Sequence, residues 1–323
     1  MKEYAIEARG LVKKFGEEHA VDGVDLSIEK GTVYGFLGPN GAGKTTTIRM
    51  LATLLKPDEG YAKVFGHDIA TDTAGVRSRI SLTGQYASLD EDLTGFENLV
   101  MLAKLMGYSR KQAKARAIEL LEAFHLLEAK NRQVKNYSGG MRRRIDIAGS
   151  IVVTPDMLFL DEPTTGLDPR SRNQVWDIIR ALVRSGTTVL LTTQYLEEAD
   201  QLADRIGVIN RGKIIAEGTA SELKASVGTG VLNITLHDQT MRQQAMEYIQ
   251  ESFQVLVTPI DNLASFTVHV SDPSLAIAVL DKLKSQSIDV STFSLGQPSL
   301  DEVFLTLTGN AVEEESVSEE ERG

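Results

Sequence analysis

The residues best suited to chemistry lie in short, separate groups. Gly38-Pro39-Asn40-Gly41-Ala42-Gly43-Lys44-Thr45 fits the phosphate-cradle pattern G-x-x-x-x-G-K-[ST]. Its glycines let the backbone curl so that several N–H groups point inward, and a helix starting there adds positive potential. Lys44 is expected to reach the β- and γ-phosphates of a nucleotide, and the Thr45 hydroxyl to ligate Mg²⁺. Asp161-Glu162 closes the apolar run Met157-Leu158-Phe159-Leu160, the signature of a strand buried on both faces of a parallel sheet. Carboxylates at that end of a central strand lie where open α/β sheets bind ligands. One can hold Mg²⁺ through water, and the other can orient and polarise an attacking water. Ser138-Gly139-Gly140 precedes a helical apolar pattern of Ile145, Ala148, Ile151 and Val152. That is a second helix start able to face an anion, with Ser138 as its cap. The triplet Arg142-Arg143-Arg144 that follows is read as solvated surface, because consecutive helical residues point in different directions.

The elements that must position these groups follow from periodicity. Thr32 to Leu37 predicts a strand before the phosphate loop, and Ile48, Leu51 and Leu55 predict a helix after it. Val24, Leu26 and Ile28 alternate as in a strand, and Ile80 to Thr83 predicts another, with Gln85 just beyond it. From Gly95 to Thr154 the spacing is helical, with Ala113, Ala117, Leu120, Leu121 and Phe124 as one apolar stripe. Gly166-Leu167-Asp168-Pro169 turns into a helix whose Trp176 is assigned to the core, and Val189 to Thr193 is a strand ending at Gln194. Helical spacing at Leu196, Ala199 and Leu202, two last strands around Asn210-Arg211-Gly212, and a Thr219/Glu222 capping box complete this part. Gly228-Thr229-Gly230 marks a boundary. Beyond it the patterns follow the βαββαβ order of a ferredoxin-like domain, then a short helix capped by Ser299 and Glu302. The expected domains are 1–227, 230–309 and an acidic, disordered tail over 310–323.

Composition narrows the function further. The chain has 323 residues, a net charge of −11 and no cysteine, so thiolate chemistry and disulfides are excluded. No apolar run approaches the roughly 20 residues of a membrane span, and no signal-peptide core is visible. Much of the negative charge sits in the tail, which holds six Glu and one Arg. An acidic body repels nucleic acid and anionic membrane surfaces alike, so a protein partner is expected to hold the chain at any membrane.

Taken together and in this order, the motifs resemble those of the ATP-binding subunit of an ABC transporter, over residues 3 to about 227. The resemblance implies an α/β P-loop cassette with a mixed sheet core, an antiparallel β subdomain and a helical subdomain, with ATP and Mg²⁺ as ligands. It implies that Gly38 to Thr45, with Thr46 and the aromatic Phe15, contact ATP, Phe15 by stacking on adenine. Asp161, Thr45 and Gln85 fall on the Mg²⁺ side, and Gln85 also meets the membrane partner. Glu162 corresponds to the catalytic base, acting with Lys44 and Gln194, and Asp168 to the D-loop. Ser138-Gly139-Gly140-Met141 stands where the family signature usually reads Ser-Gly-Gly-Gln. Thr192 to Asp200, and later Pro298 to Phe304, resemble the daunorubicin-resistance type of exporter subunit, which pairs with a separate membrane-spanning chain on the inner face of the cell membrane. The family precedent implies a dimer, sufficient as a homodimer, that clamps each ATP between Lys44 of one copy and Ser138-Gly139-Gly140 of the other. The alternative is a soluble ABC-type ATPase acting on ribosomes or DNA. Such relatives usually carry two cassettes or a long coiled coil, and neither is visible. Gln194 departs from the family's switch histidine: an amide can donate a hydrogen bond to the γ-phosphate but does not titrate near neutral pH. Met141 replaces the signature glutamine, and a small effect is expected.

Overall fold

The computed structural model describes residues 3–84, 89–227, 230–260, 262–270, 273–296 and 299–307. Gln85 and the 310–323 tail lie outside them. The chain forms two compact units, Met1–Glu217 and Gly218–Gly323, a division one helix before Gly228-Thr229-Gly230.

In the first unit, β1 (Tyr4–Phe15) and β2 (Glu18–Glu29) form a hairpin. β3 (Val33–Leu37) leads through the phosphate loop into α1 (Lys44–Leu51). β4 (Glu59–Val64), β5 (His67–Asp68), α2 (Thr73–Arg77) and β6 (Ile80–Thr83) follow. The helices α3 (Gly95–Leu105), α4 (Arg110–Ala123) and α5 (Gly139–Ser150) precede β7 (Met157–Asp161). The unit closes with α6 (Pro169–Arg184), β8 (Thr188–Thr193), α7 (Leu196–Leu202), β9 (Arg205–Asn210) and β10 (Lys213–Gly218). One sheet runs β2-β1-β4-β5 with antiparallel pairing, the other β10-β9-β3-β8-β7-β6. The strands from β9 to β6 pair in parallel.

The continuous apolar run of β7 is explained by its position. Met157 and Phe159 pack into the core shared with the antiparallel sheet and α1. Leu158 and Leu160 pack into the core shared with α3 to α6. A strand covered on both faces has no polar alternation. The expected stripe of α4 is buried along its length. One boundary differs from the periodicity: α1 stops at Leu51, the chain turns through Thr53 at φ 60°, and Leu55 packs on the core from outside the helix.

The second unit starts with α8 (Ala220–Val227), capped as expected by reciprocal Thr219–Glu222 hydrogen bonds. β11 (Gly230–Leu236), α9 (Arg242–Phe253), β12 (Val257–Pro259), β13 (Ser265–Val270), α10 (Pro273–Ser285) and β14 (Val290–Gly296) build an antiparallel sheet in the order β12-β13-β11-β14. This is the ferredoxin-like arrangement. Its shortest strand, β12, has only one buried residue, Val257, too little for an alternation to register in the sequence. Residues 300–307 are helical, with Leu300 and Val303 buried and Ser299–Glu302 closing the start.

Candidate functional site

The phosphate loop is held by steric contacts that admit only glycine. A Cβ on Gly38 would lie 2.3 Å from the Ile209 carbonyl oxygen, and one on Gly43 2.3 Å from that of Ala20. Gly43 also adopts φ +104°, outside the range of other residues. The turn after β9 ties the loop down: Gly212 N–H donates to Ala42 O at 3.0 Å, and Asp22 N–H to Gly212 O at 2.9 Å. Gly43 is the N-cap of α1 and supplies no side-chain cap, so no side chain competes for the first-turn amides, which suit an anion. Pro39 to Thr46, with Ala20 and Glu162, line a cavity of about 110 Å³. Lys44 is only 5% exposed. Its Nζ donates to the carbonyls of Gly38 at 2.6 Å and Pro39 at 3.0 Å, and lies 3.7 Å from Glu162 Oε1. Burial lowers its pKa, against the opposing pull of Glu162 and Asp161.

The end of β8 joins this loop to the acidic pair. Gly38 N–H donates to Thr193 O at 3.3 Å. Thr192 Oγ1 donates to Asp161 Oδ1, and Thr45 Oγ1 reaches Asp161 Oδ2 at 2.9 Å. A hydroxyl and a carboxylate this close are the hard oxygens that Mg²⁺ takes, alongside water and phosphate oxygens. Among the described residues no group of three or more His, Cys, Asp or Glu could hold a metal ion. Glu162 stands at φ +48°, a left-handed conformation that costs a non-glycine residue on the order of 1 kcal/mol or more. Its N–H is held by both the carbonyl and the hydroxyl of Thr192, each at 3.1 Å. Glu162 Oε2 accepts from Thr165 Oγ1 at 3.2 Å and from Gln194 Nε2 at 3.5 Å.

The remaining expected residues are placed differently. Ser138 caps α5, its Oγ accepting from Met141 N–H at 3.3 Å; Ser138 and Gly139 are exposed, and none of Ser138 to Gly140 lines the phosphate-loop cavity. Phe15 is 54% exposed at the end of β1, opposite Glu18 of β2, the strand that brings Ala20 to the loop. Asp168 is the N-cap of α6, accepting from Ser171 Oγ at 2.6 Å and Ser171 N–H at 3.0 Å. Those hydrogen bonds lower its pKa. The starts of α5 and α6 touch, since a Cβ on Gly140 would meet Ser171 Oγ at 2.3 Å. Gln85 lies outside the described residues.

Two features escape the sequence reading. The arginine triplet is not solvated: Arg144 is buried and donates to Phe124 O at 2.9 Å. Arg143 is 11% exposed and donates to the carbonyls of Gly84, Pro163 and Asp161. Of the three, only Arg142 keeps a surface ion pair, 3.6 Å from Glu91. The reason is that α5 is covered on several sides, so residues pointing in different directions all meet protein. The second feature is Glu198, 1% exposed, accepting from Thr164 Oγ1 at 2.8 Å and from Trp176 Nε1 at 3.1 Å. Burial raises its pKa. Trp176 is therefore core, as expected, and also a donor. The signal for Glu198 was its i,i+4 spacing to the apolar Leu202.

Comparison with known proteins gives the chain's relatives. The ABC transporter family matches residues 21–165, and the family described as ATP-binding protein DrrA1-3-like, C-terminal domain, matches residues 218–308. The chain is 59% identical to the daunorubicin/doxorubicin resistance ATP-binding protein DrrA of Streptomyces peucetius, over 98% of this chain and 96% of that protein. It is 34% identical to the linearmycin resistance ATP-binding protein LnrL of Bacillus subtilis (strain 168), over 95% of this chain and 99% of the relative. Among solved structures it resembles MJ1267, an ATP-binding cassette of an ABC transporter in its ADP conformation. That match has a TM-score of 0.63 and 28% identity, and covers 68% of this chain and 92% of that one.

Proposed function

The chain belongs to the ATP-binding subunits of ABC transporters, in the daunorubicin-resistance group, and from that membership we propose how its residues divide the work of ATP-driven export. It binds and hydrolyses ATP, and that hydrolysis powers export through a separate membrane-spanning subunit. The relatives named for daunorubicin, doxorubicin and linearmycin resistance support a drug-like or hydrophobic cargo for this chain.

In our reading the loop amides and Lys44 hold the β- and γ-phosphates, and Phe15 stacks on the adenine. Thr45 and Asp161, with Gln85, hold Mg²⁺, which supplies charge neutralisation at the phosphates when bound. Glu162 orients the attacking water and takes its proton. Gln194, already within reach of Glu162, donates to the γ-phosphate without titrating. Asp168 sits with the nucleotide across the dimer. A second copy supplies Ser138-Gly139-Gly140, whose exposed helix start faces the γ-phosphate. Loss of that phosphate after hydrolysis removes the anchor between copies, and the dimer opens.

One observation carries the reading. Lys44, Thr45, Asp161, Glu162 and Gln194 converge on one loop, while Ser138 and Gly139 stand exposed and line no part of its cavity. Residues 1–227 form the cassette in this reading. Residues 230–309 form an accessory domain that stabilises the dimer, and 310–323 an acidic tail. No helix among the described residues is long and apolar enough to cross a membrane, and the Gln85 segment would dock the subunit on its partner at the inner membrane face. Mass measurement of Glu162→Gln under saturating ATP and Mg²⁺ tests the clamp: a dimer is expected, and a monomer overturns it.

A further inference from the structure

We propose that Arg143 is a positioning residue that couples the two nucleotide sites of the dimer, tying the helix that grips one ATP to the base that hydrolyses the other. This rests on the composite-site reading above. The guanidinium spends its donors on three backbone carbonyls: Nε to Pro163 O at 2.9 Å, Nη2 to Asp161 O at 3.1 Å and Nη1 to Gly84 O at 2.8 Å. Asp161 and Pro163 flank Glu162, so Arg143 brackets the left-handed residue from both sides while Thr192 holds its N–H. Gly84 is the residue before Gln85. Asp146, on the next turn of the same helix, lies 3.6 Å away and fixes the guanidinium on α5.

Arg143 is about one turn beyond Gly139, at 1.5 Å of rise per residue. A helix is stiff over that length. If the exposed start of α5 is drawn toward the partner's γ-phosphate, the same rigid body moves the carbonyls around Glu162 in its own site. Arg143 is not solvent-facing slack: its side chain is 11% exposed and bonded to three carbonyls, and it lines one cleft with Glu162 and Gly139. Capture of ATP by one copy's signature then sets the geometry of that copy's own base. Hydrolysis at each site depends on occupancy of the other.

The test is steady-state ATPase of the full chain against ATP concentration, for the unmodified protein, Arg143→Gln, Arg143→Lys and Arg144→Gln. Two coupled sites give a Hill coefficient between about 1 and 2. The unmodified protein is expected well above 1. Arg143→Gln should fall toward 1 and lose about ten- to a hundredfold in kcat, the scale of a displaced reacting group. A fluorescent ATP analogue should bind its phosphate loop with unchanged affinity. Arg143→Lys, which keeps the charge but cannot span three carbonyls, should recover part of kcat and less of the Hill coefficient. Arg144→Gln, another buried arginine of α5, should lower Tm without changing the Hill coefficient. A Hill coefficient of 1 for the unmodified protein overturns the coupling, as does an Arg143→Lys or Arg143→Gln protein that loses stability alone and keeps the native value. If Glu162→Gln with ATP stays monomeric, the composite site fails first and the coupling falls with it. If that dimer forms and Arg143 variants keep their cooperativity, only the coupling fails.

Discussion

α1 and α5 both begin at glycine-rich turns, and the difference between those beginnings separates a receptor from half of one. α1 has a left-handed glycine as N-cap, no side-chain cap, a buried lysine, and a hydroxyl against a carboxylate. Its free amides face a cavity already walled by protein. α5 has a serine cap that occupies the Met141 amide and stands at the exposed surface with no lysine or acid of its own at the tip. Anion binding by a helix end is weak when water competes with it and strong when the end is enclosed. The first end is enclosed by its own chain, and the second requires another surface to enclose it.

Changing one end at a time separates their contributions. The largest loss is expected at the complete end: Lys44→Ala should cut hydrolysis by about 10²- to 10³-fold, the effect of losing a preorganised charge at the transferring phosphoryl group, and weaken binding of an ATP analogue to the monomer. A variant that hydrolysed normally would mean that the α1 end is not the receptor. At the other end, Ser138→Ala removes a cap of about 1 kcal/mol. It should leave analogue binding to the monomer unchanged and weaken the ATP-dependent dimer of the Glu162→Gln background several-fold. Equal weakening of both would erase the distinction between the ends. The smallest effect concerns the scaffold between them, where Glu198 links the turn after β7 to α6. Its folded pKa is raised above the ordinary 4.5 by burial. Its stabilising contribution is therefore fully present below about 4.5 and lost as pH rises through the folded value. Glu198→Gln keeps an acceptor for Thr164 and Trp176 without that loss, so its Tm relative to the unmodified protein should climb with pH over the same window. A difference flat with pH would show that the carboxyl does not titrate there.

What the sequence disclosed was local. A phosphate loop, a doubly buried strand and a helix cap each act within a few residues, and Gly38 to Thr45, Met157 to Glu162 and Ser138 to Gly140 could be read without knowing their neighbours. The ferredoxin-like order was visible for the same reason, apart from β12, which buries only Val257. Arg143 was not legible, and Glu198 only through its spacing to Leu202, because their roles depend on what packs over them. An arginine beside two others on a helix looks solvated until the strand end and the Gly84 carbonyl are placed against it. A glutamate beside Glu197 looks like surface until Trp176 arrives from a different helix. Likewise, Gly38 looks like part of a flexible loop, and only the Ile209 carbonyl behind it shows that no side chain fits.

The 3.7 Å approach of Lys44 to Glu162 has a bearing on how the pair answers a bound triphosphate. Within one chain the acid already lies in ion-pair range of the loop's own cation. Incoming triphosphate is the key, since it offers the lysine a stronger anion and so frees the acid when there is something to split. The spacing thus ties the freeing of the acid to the arrival of the anion that the lysine prefers.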